Sequence, residues 1–324
     1  MTSNLQLLIR EAAQTLSQGE LVVFPTETVY GLGARADSAA AIQKIYQAKG
    51  RPQNNPLIVH FHSMSQMKEW IKLPEQAQKL GNKFWPGPLT LIVQGSERIC
   101  KEARAGLKTV AIRIPNHPIA LELLREVDIP LAAPSANRSG HISPTQVEHV
   151  KRSLGPQVEI ILEGGPCEVG LESTVLDLTT KPPRILRPGK ILREEIENEI
   201  GPVDLIDQKL HASETLASPG LLSKHYAPEA KVLLMEGSEI EYFCRPHKDD
   251  KVAIIFHSAD LKSKLNEPDN LKKIYLSNNP SNYAQQLYST LYQLENSGYN
   301  CIIIEALPQE PQWQAIANRV SRMI

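Results

Sequence analysis

Apolar residues in the first two hundred positions follow two patterns, one typical of helices and one typical of buried strands. They recur at helical spacing over 4–18, and Gly19 is expected to end that helix. Short unbroken apolar runs predict strands at 21–24, 57–61, 89–93, 110–114, 131–135, 159–163, 173–178 and 184–187. Further helices are predicted at 38–48, 75–84, 117–126 and 192–200. Because strands and helices mix without strict alternation, we expect an α/β fold built on a twisted, mixed sheet.

The periodic pattern stops between Gly201 and Pro228 and then restarts. A connection this long is usually a lid, a binding loop or a linker. The restarted pattern predicts strands at 231–235, 251–256, 273–276 and 301–304, with helices at 281–296 and 310–322. We therefore predict three parts: a first domain over 1–200, a linker or lid over 201–230, and a small α/β domain over 231–324.

Composition and charge limit the class of protein. Of 324 residues, 41% are apolar and 22% are charged, which is enough for a packed core. The net charge of −1 gives no global basic field, so a contact with RNA would need a local patch. The four cysteines are far apart, which predicts neither a zinc knuckle nor a disulfide framework and favours a reducing cytoplasm. We expect no signal peptide and no membrane-spanning segment.

The densest group of polar residues lies between Pro25 and His60. It opens with PTETVYGLG at 25–33, where Gly31 and Gly33 suit a sharp turn or a close approach to a ligand. Lys49 and Arg51 follow at the end of a predicted helix, and two cations so close together suit a phosphate clamp. On its pattern alone, His60 is expected to be a core residue of its strand.

Polar residues at later strand ends extend this candidate site. Arg113 lies inside a predicted strand and needs an internal carboxylate or an anionic ligand as its partner. Ser135, Asn137 and Ser139 could contact phosphate or a base, or could simply form a Ser/Asn turn. The chain contains neither GxxxxGK(S/T) nor GxGxxG, and no metal-ligand spacing such as HExxH. The inventory therefore favours phosphoryl or nucleotidyl transfer by positioning and charge stabilisation, with no protein metal site.

Eight motifs in order resemble one known family. PTETVYGLG, KGRP, NPLIVH, WPGPLT, VAIRIP, APSAN, STVLDL and ILRPG occur between 25 and 189 and are similar to those of the YrdC-type threonylcarbamoyl-AMP synthases. SPGLLSKHYAP at 218–228, followed by a small α/β domain, resembles the longer, two-domain Sua-type form. The resemblance implies a YrdC-like catalytic domain joined by the long linker to a smaller Rossmann-like domain.

The resemblance also implies a reaction and its partners. L-threonine, bicarbonate and ATP would give threonylcarbamoyl-AMP and pyrophosphate, with Mg²⁺ carried by the nucleotide. A downstream tRNA threonylcarbamoyltransferase would use the product, and a weak direct contact with RNA is an additional expectation.

The resemblance assigns roles to residues of the matching motifs. Lys49 and Arg51 would be catalytic and clamp the phosphates. The threonine site would comprise Thr28, His60, Arg113, Ala133 and Ser173. The ATP site would comprise Arg51, Asn55, Thr109, Ser135, Asn137, Ser143, Arg187 and, from the linker, Tyr226.

Two other functions compete with this one. The first is a related enzyme that makes carbamoyl-adenylate from carbamoyl phosphate, against which the scattered cysteines argue. The second is a non-enzymatic module for double-stranded RNA, with a concave surface lined by arginines and lysines, which the near-neutral net charge weakens.

Overall fold

A computed structural model describes residues 3–206, 227–243, 251–264 and 271–324. The chain folds as two compact units, and described residues up to 206 belong to the first, except Gly140–Ile142, which belong to the second. The helices of the first unit are α1 (Ser3–Ser17), α2 (Ala39–Lys49), α3 (Met64–Trp70), α4 (Glu75–Phe84), α5 (Pro118–Val127), α6 (Val147–Leu154) and α7 (Arg193–Ile200).

Ten strands form one sheet in the first unit. They are β1 (Val22–Phe24), β2 (Gly31–Arg35), β3 (Ile58–His60), β4 (Leu89–Gln94), β5 (Thr109–Arg113), β6 (Leu131–Ala132), β7 (Ile160–Ile161), β8 (Thr174–Asp177), β9 (Arg184–Arg187) and β10 (Asp204–Leu205). Their order is β10-β9-β8-β4-β5-β3-β6-β2-β1-β7. The sheet contains both parallel pairs, such as β3–β5, and antiparallel pairs, such as β4–β5, which confirms the predicted mixed sheet.

Local sequence explains where the helices begin and end. Ser38 accepts a hydrogen bond from the amide of Ala41 and caps the start of α2. Gly50 ends that helix in the left-handed conformation, with φ of 59°. Helix α1 buries one apolar stripe, including Ile9 and Leu16, as its spacing predicted. The cap at Gly50 thereby ends α2 between Lys49 and Arg51.

The structure corrects several element predictions. The glycines of PTETVYGLG do not form a turn, because 31–35 is strand β2 and pairs with β1. A Cβ at position 33 would lie 2.7 Å from Cε1 of Phe24, so the glycine is required by the packing of that ring. Helices α3 and α6 have no counterpart in the prediction. Strand β10 lies inside the predicted linker, and of the predicted strand 131–135 only the first two residues pair in β6.

The second unit contains a smaller sheet that is entirely parallel among its described strands. Its elements are β11 (Lys231–Met235), α8 (Gly237–Phe243), β12 (Val252–Phe256), α9 (Ala259–Lys264), β13 (Leu271–Tyr275), α10 (Pro280–Asn296), β14 (Cys301–Glu305) and α11 (Gln314–Val320). The strand order is β11-β14-β12-β13. All five residues of β12 are buried, as expected for a parallel strand with both faces covered. The separate small α/β unit confirms the predicted fold class.

No helix among the described residues combines the length and apolarity that a bilayer crossing requires.

Candidate functional site

One face of the larger sheet carries both polar ends of the candidate site. His60 pairs with Arg113 and Ile58 with Ala111 across β3 and β5, so these four residues share a face. Thr109 lies on the same face at the other end of β5, about 13 Å along the strand from Arg113. Between the two ends is an apolar cluster of buried residues, formed by Ile58, Ile92, Ala111, Val175 and Leu186. The face therefore offers an apolar floor with polar groups at each end.

Arg113 is the buried cation at one end of this face. Its side chain is 4% exposed. Its Nη1 donates to Oγ1 of Thr28 at 3.0 Å, and its Nε donates to the carbonyl of Gly87 at 3.2 Å. Its Nη2 lies 2.7 Å from Oε1 of Glu27. That contact is an ion pair without hydrogen-bond alignment, because neither Nη2 nor the Glu27 oxygens have a well-oriented partner among the described residues. The guanidinium keeps a donor that an anionic ligand could use.

His60 is buried beside Arg113 and is neutral at physiological pH. Its Nδ1 contacts the carbonyl of Ile58 at 3.0 Å, and its ring meets Phe24 edge-on. Burial, followed by the positive charge of Arg113, lowers the pKa of His60 from 6.5 to about 3. The expectation of a core position is consistent with this burial, yet the register also places the ring on the face that carries Arg113.

Ser173 connects three strands just before β8 begins. Its hydroxyl lies 2.7 Å from that of Thr90, and Nη2 of Arg187 donates to it at 3.2 Å. Nε of Arg187 donates to the carbonyl of Ser173 at 3.1 Å. Arg187 is thus oriented by the residue that precedes β8, and both side chains are buried.

Lys49 holds the loop that contains Ser135 and Asn137. Its Nζ donates to the carbonyl of Ser135 at 2.6 Å and also to the carbonyl of Asn137. The hydroxyl of Ser135 donates to Oδ1 of Asn137, and the amide of Ser139 donates to the carbonyl of Lys49 at 2.8 Å. Burial, followed by the charge of Arg51, lowers the pKa of Lys49 well below its usual value. In addition to any contact with phosphate, Lys49 therefore positions two predicted ATP ligands.

Arg51 and Asn55 form a second buried pair. Nε of Arg51 donates to the carbonyl of Asn55 at 3.1 Å, and Nη2 donates both to Oδ1 of Asn55 and to the carbonyl of Pro56. This pair precedes β3, whereas His60 ends it. Asn55 therefore lies toward the end of the sheet at which Thr109 begins β5, away from Arg113.

The remaining predicted residues are more dispersed. Ser143 is fully buried and donates to Oε1 of Glu172 at 2.6 Å. The amide of Ala133 donates to the carbonyl of Ile58 at 2.9 Å, which places Ala133 directly after β6 and beside β3. Tyr226 lies outside the described residues.

Four residues at the site were not among the predicted ones. They are Glu27, Gly87, Thr90 and Glu172. Glu27 had a usable signal, because it is the only acidic residue of PTETVYGLG and a buried arginine needs an anionic partner. The carbonyl of Gly87 had none, because a backbone acceptor leaves no mark in the sequence.

The described residues supply donors for anions but no protein metal cage. They contain no group of three or more His, Cys, Asp and Glu side chains that could hold a metal ion. The arrangement is suited to binding carboxylate and phosphate groups and fixing their orientation.

Comparison with known proteins decides the family. Residues 14–189 match the model of the Sua5, YciO and YrdC proteins, described as telomere recombination. The chain belongs to the Sua5–YciO–YrdC family. Residues 191–323 match a second family, described as the C-terminal domain of threonylcarbamoyl-AMP synthase. The long, two-domain form of the family that the motifs resemble is therefore confirmed.

Relatives that are named for an enzymatic activity match this chain over both of its domains. The threonylcarbamoyl-AMP synthase of Bacillus subtilis is 41% identical over 97% of this chain and 92% of its own. A crystal structure of Pyrococcus abyssi Sua5 complexed with L-threonine is 38% identical, with a TM-score of 0.91 over 98% of this chain and 94% of that one. A putative threonylcarbamoyl-AMP synthase of Mycobacterium tuberculosis is 40% identical over 194 residues, which are 60% of this chain and 89% of that relative. Some family members are thus little longer than the first domain.

Proposed function

We propose that this protein is a threonylcarbamoyl-AMP synthase, a nucleotidyltransferase that converts L-threonine, bicarbonate and ATP into threonylcarbamoyl-AMP and pyrophosphate. The observation that carries the proposal is the buried guanidinium of Arg113 beside Thr28 and His60, in a chain similar over 98% of its length to a threonine-bound Sua5. An α-carboxylate is the ligand that such a cation binds best.

The two ends of the sheet face would receive the two substrates. Threonine would lie against Thr28, His60, Arg113, Ala133 and Ser173. ATP would extend over the apolar floor toward Asn55 and Thr109, with further contacts from Arg51, Ser135, Asn137, Ser143, Arg187 and Tyr226. Because His60 is neutral, Arg113 would be the charged partner of the threonine carboxylate at this end of the face.

Catalysis would depend on position and charge, without a protein nucleophile. The threonine carbamate is a weak nucleophile, and it must be held in line with the α-phosphate before pyrophosphate can leave. Arg51 would stabilise negative charge on the phosphates, and Lys49 would keep the loop of Ser135 and Asn137 in place. Mg²⁺ held by the triphosphate would supply further charge neutralisation.

The parts of the chain would divide the work. Residues 1–200 would form the catalytic domain, 201–230 a linker that carries Tyr226 to the nucleotide, and 231–324 a small accessory domain. The product is a reactive mixed anhydride, so we infer a tRNA threonylcarbamoyltransferase as its immediate consumer. Dispersed free cysteines favour a reducing compartment, the cytoplasm.

Pyrophosphate release tests the proposal directly. We expect release to require threonine and bicarbonate together, and mass spectrometry to detect threonylcarbamoyl-AMP. Arg113→Ala should raise the threonine concentration needed by about 10- to 150-fold, because a charged hydrogen bond contributes about 1.5–3 kcal/mol. Release that does not depend on threonine, or that requires carbamoyl phosphate, would rule the proposal out.

A further inference from the structure

Glu27 is the most buried glutamate that the structure describes and the least anchored. Glu27 is 3% exposed, compared with 6% for Glu172 and 7% for Glu305. Glu172 accepts a hydrogen bond from the hydroxyl of Ser143, and Glu305 accepts two from the backbone amides of residues 257 and 258. Neither oxygen of Glu27 accepts any well-oriented hydrogen bond among the described residues. Burial of a carboxylate without hydrogen bonds costs free energy, and a further partner would offset that cost.

Arg113 supplies only part of that partner. Its Nη2 is 2.7 Å from Oε1 of Glu27. The same guanidinium also donates through Nη1 to Thr28 and through Nε to the carbonyl of Gly87. The other ionisable groups that interact with the charge of Glu27 are His117 and Cys167. Burial lowers the pKa of His117, so its ring is uncharged near pH 7, and burial raises the pKa of Cys167, which stays an uncharged thiol. Among the described residues, Arg113 is therefore the one cation that pairs with Glu27, and Thr28 and Gly87 share that guanidinium.

A zwitterionic amino acid would complete this pair. Its carboxylate and its ammonium are attached to one carbon atom, so both can reach groups that lie in contact. The carboxylate of threonine would replace Glu27 at Nη2 of Arg113, and the freed carboxylate of Glu27 would receive the ammonium. In the initial threonine complex, before the nitrogen loses a proton and is carboxylated, one ion pair would become two with no change in net charge, and both unsatisfied groups would gain partners.

We propose that Glu27 binds the α-ammonium of threonine and so makes the site selective for an amino acid over the corresponding hydroxy acid. The inference rests on the proposed function. It adds a substrate-binding residue to the threonine site and assigns the Thr26–Thr28 turn a positioning role. The turn fixes the backbone of Glu27, whose carbonyl accepts a hydrogen bond from the amide of Val169 at 2.7 Å, while its carboxylate remains available.

The test compares two ligands that differ only in the amino group. Threonine without its amine is (R)-3-hydroxybutanoate, which retains the carboxylate and the hydroxyl. Dissociation constants for both are measured by ligand-observed NMR titration of the full chain. In Glu27→Gln we expect affinity for threonine to fall by about 10- to 100-fold while that for (R)-3-hydroxybutanoate is unchanged or rises, because only threonine has the charge that Glu27 binds.

Controls separate recognition from folding. Glu27→Asp keeps the charge and should retain a preference for threonine, whereas Glu20→Gln removes a carboxylate that is 53% exposed and should change neither affinity. Thermal unfolding checks that each variant is folded. Equal losses for both ligands in Glu27→Gln would show that Glu27 merely orients Arg113 and would overturn the inference alone, as would no loss at all. Failure of the wild-type chain to bind threonine would overturn the proposed function and this inference with it.

Discussion

A buried ionisable side chain of the first unit can belong to the core and to the candidate site at the same time. His60 lies in an apolar strand and is 4% exposed, as its sequence context predicted. The same burial keeps its ring uncharged beside Arg113. The two interpretations of His60 were therefore never exclusive, and the sequence alone could not show this, because the charge state depends on a neighbour from another strand.

The pKa of His60 predicts how stability changes in acid. In the unfolded chain the ring takes up a proton as the pH falls through 6.5, whereas in the folded chain it does so only near pH 3. Stability from this group is therefore complete above pH 6.5 and is lost progressively as the pH falls from 6.5 to 3. Between pH 7 and pH 5 the loss should be about 2 kcal/mol.

Comparison of His60→Asn with the parent isolates this effect. Urea unfolding is followed by tryptophan fluorescence in a Trp313→Phe background, so that the signal comes from Trp70 and Trp85 of the first unit. The variant should lose about 2 kcal/mol less than the parent between pH 7 and pH 5. His149, whose pKa burial lowers to about 4, contributes equally to both chains and cancels. An identical pH dependence in the two chains would contradict the buried, neutral ring.

Most helices and strands were predictable because the apolar pattern and the terminal residues agree. Helix 75–84 is observed with those limits, and strand 231–235 likewise. Strand β2 was not predictable, because its glycines are read locally as a turn and only the ring of Phe24 explains them. Strand β10, with two residues, is defined by its pairing with β9 and not by its own composition. Both strands depend on tertiary packing, which the local sequence does not show.

The corner between α4 and β4 should be intolerant of change. A Cβ at Gly87 would lie 2.2 Å from the carbonyl oxygen of Phe84, and the Gly87 carbonyl holds Nε of Arg113. We expect Gly87→Ala to lower the free energy of unfolding by about 1–3 kcal/mol, and to weaken threonine binding more than ATP binding. Urea unfolding and ligand titrations measure both effects. Asn82→Ala, an exposed change in α4, is the control, and similar results for the two variants would refute the role of the corner.

At the scale of the whole chain, the sequence predicted which residues have chemistry but not how they are joined. Register brings His60 and Arg113 into direct pairing, and motif order could not reveal that β3 and β5 are neighbours. The hydrogen bonds of Lys49 to two backbone carbonyls were equally hidden, because they depend on a loop more than eighty residues away. Long-range pairing, and not residue type, was the missing information.

A chain cut after residue 206 should fold on its own but work slowly. The cut preserves the pairing of β10 with β9, and 194 residues make up 89% of a Mycobacterium tuberculosis relative, so a family member can be little longer than this part. Removal of 207–324 also removes Tyr226 and the proposed cover of the nucleotide, so we expect a lower rate of pyrophosphate release with a cooperative unfolding transition. Circular dichroism and the release assay measure these properties. A full rate from the truncated chain would refute the proposed role of Tyr226, and loss of cooperative unfolding would refute independent folding.

The strand order of the larger sheet also has a consequence for synthesis on the ribosome. Strand β1 is synthesised early but pairs with β7, near residue 160. Ser173, whose carbonyl accepts a hydrogen bond from Arg187, is synthesised later still. At roughly 5–20 residues per second, the edge of β1 that pairs with β7 would stay open for on the order of 10 s before β7 is synthesised. An unpaired edge of an apolar strand is prone to aggregation during that interval. The proposed site, which includes Arg187, would be complete only after almost all of the first unit had been translated.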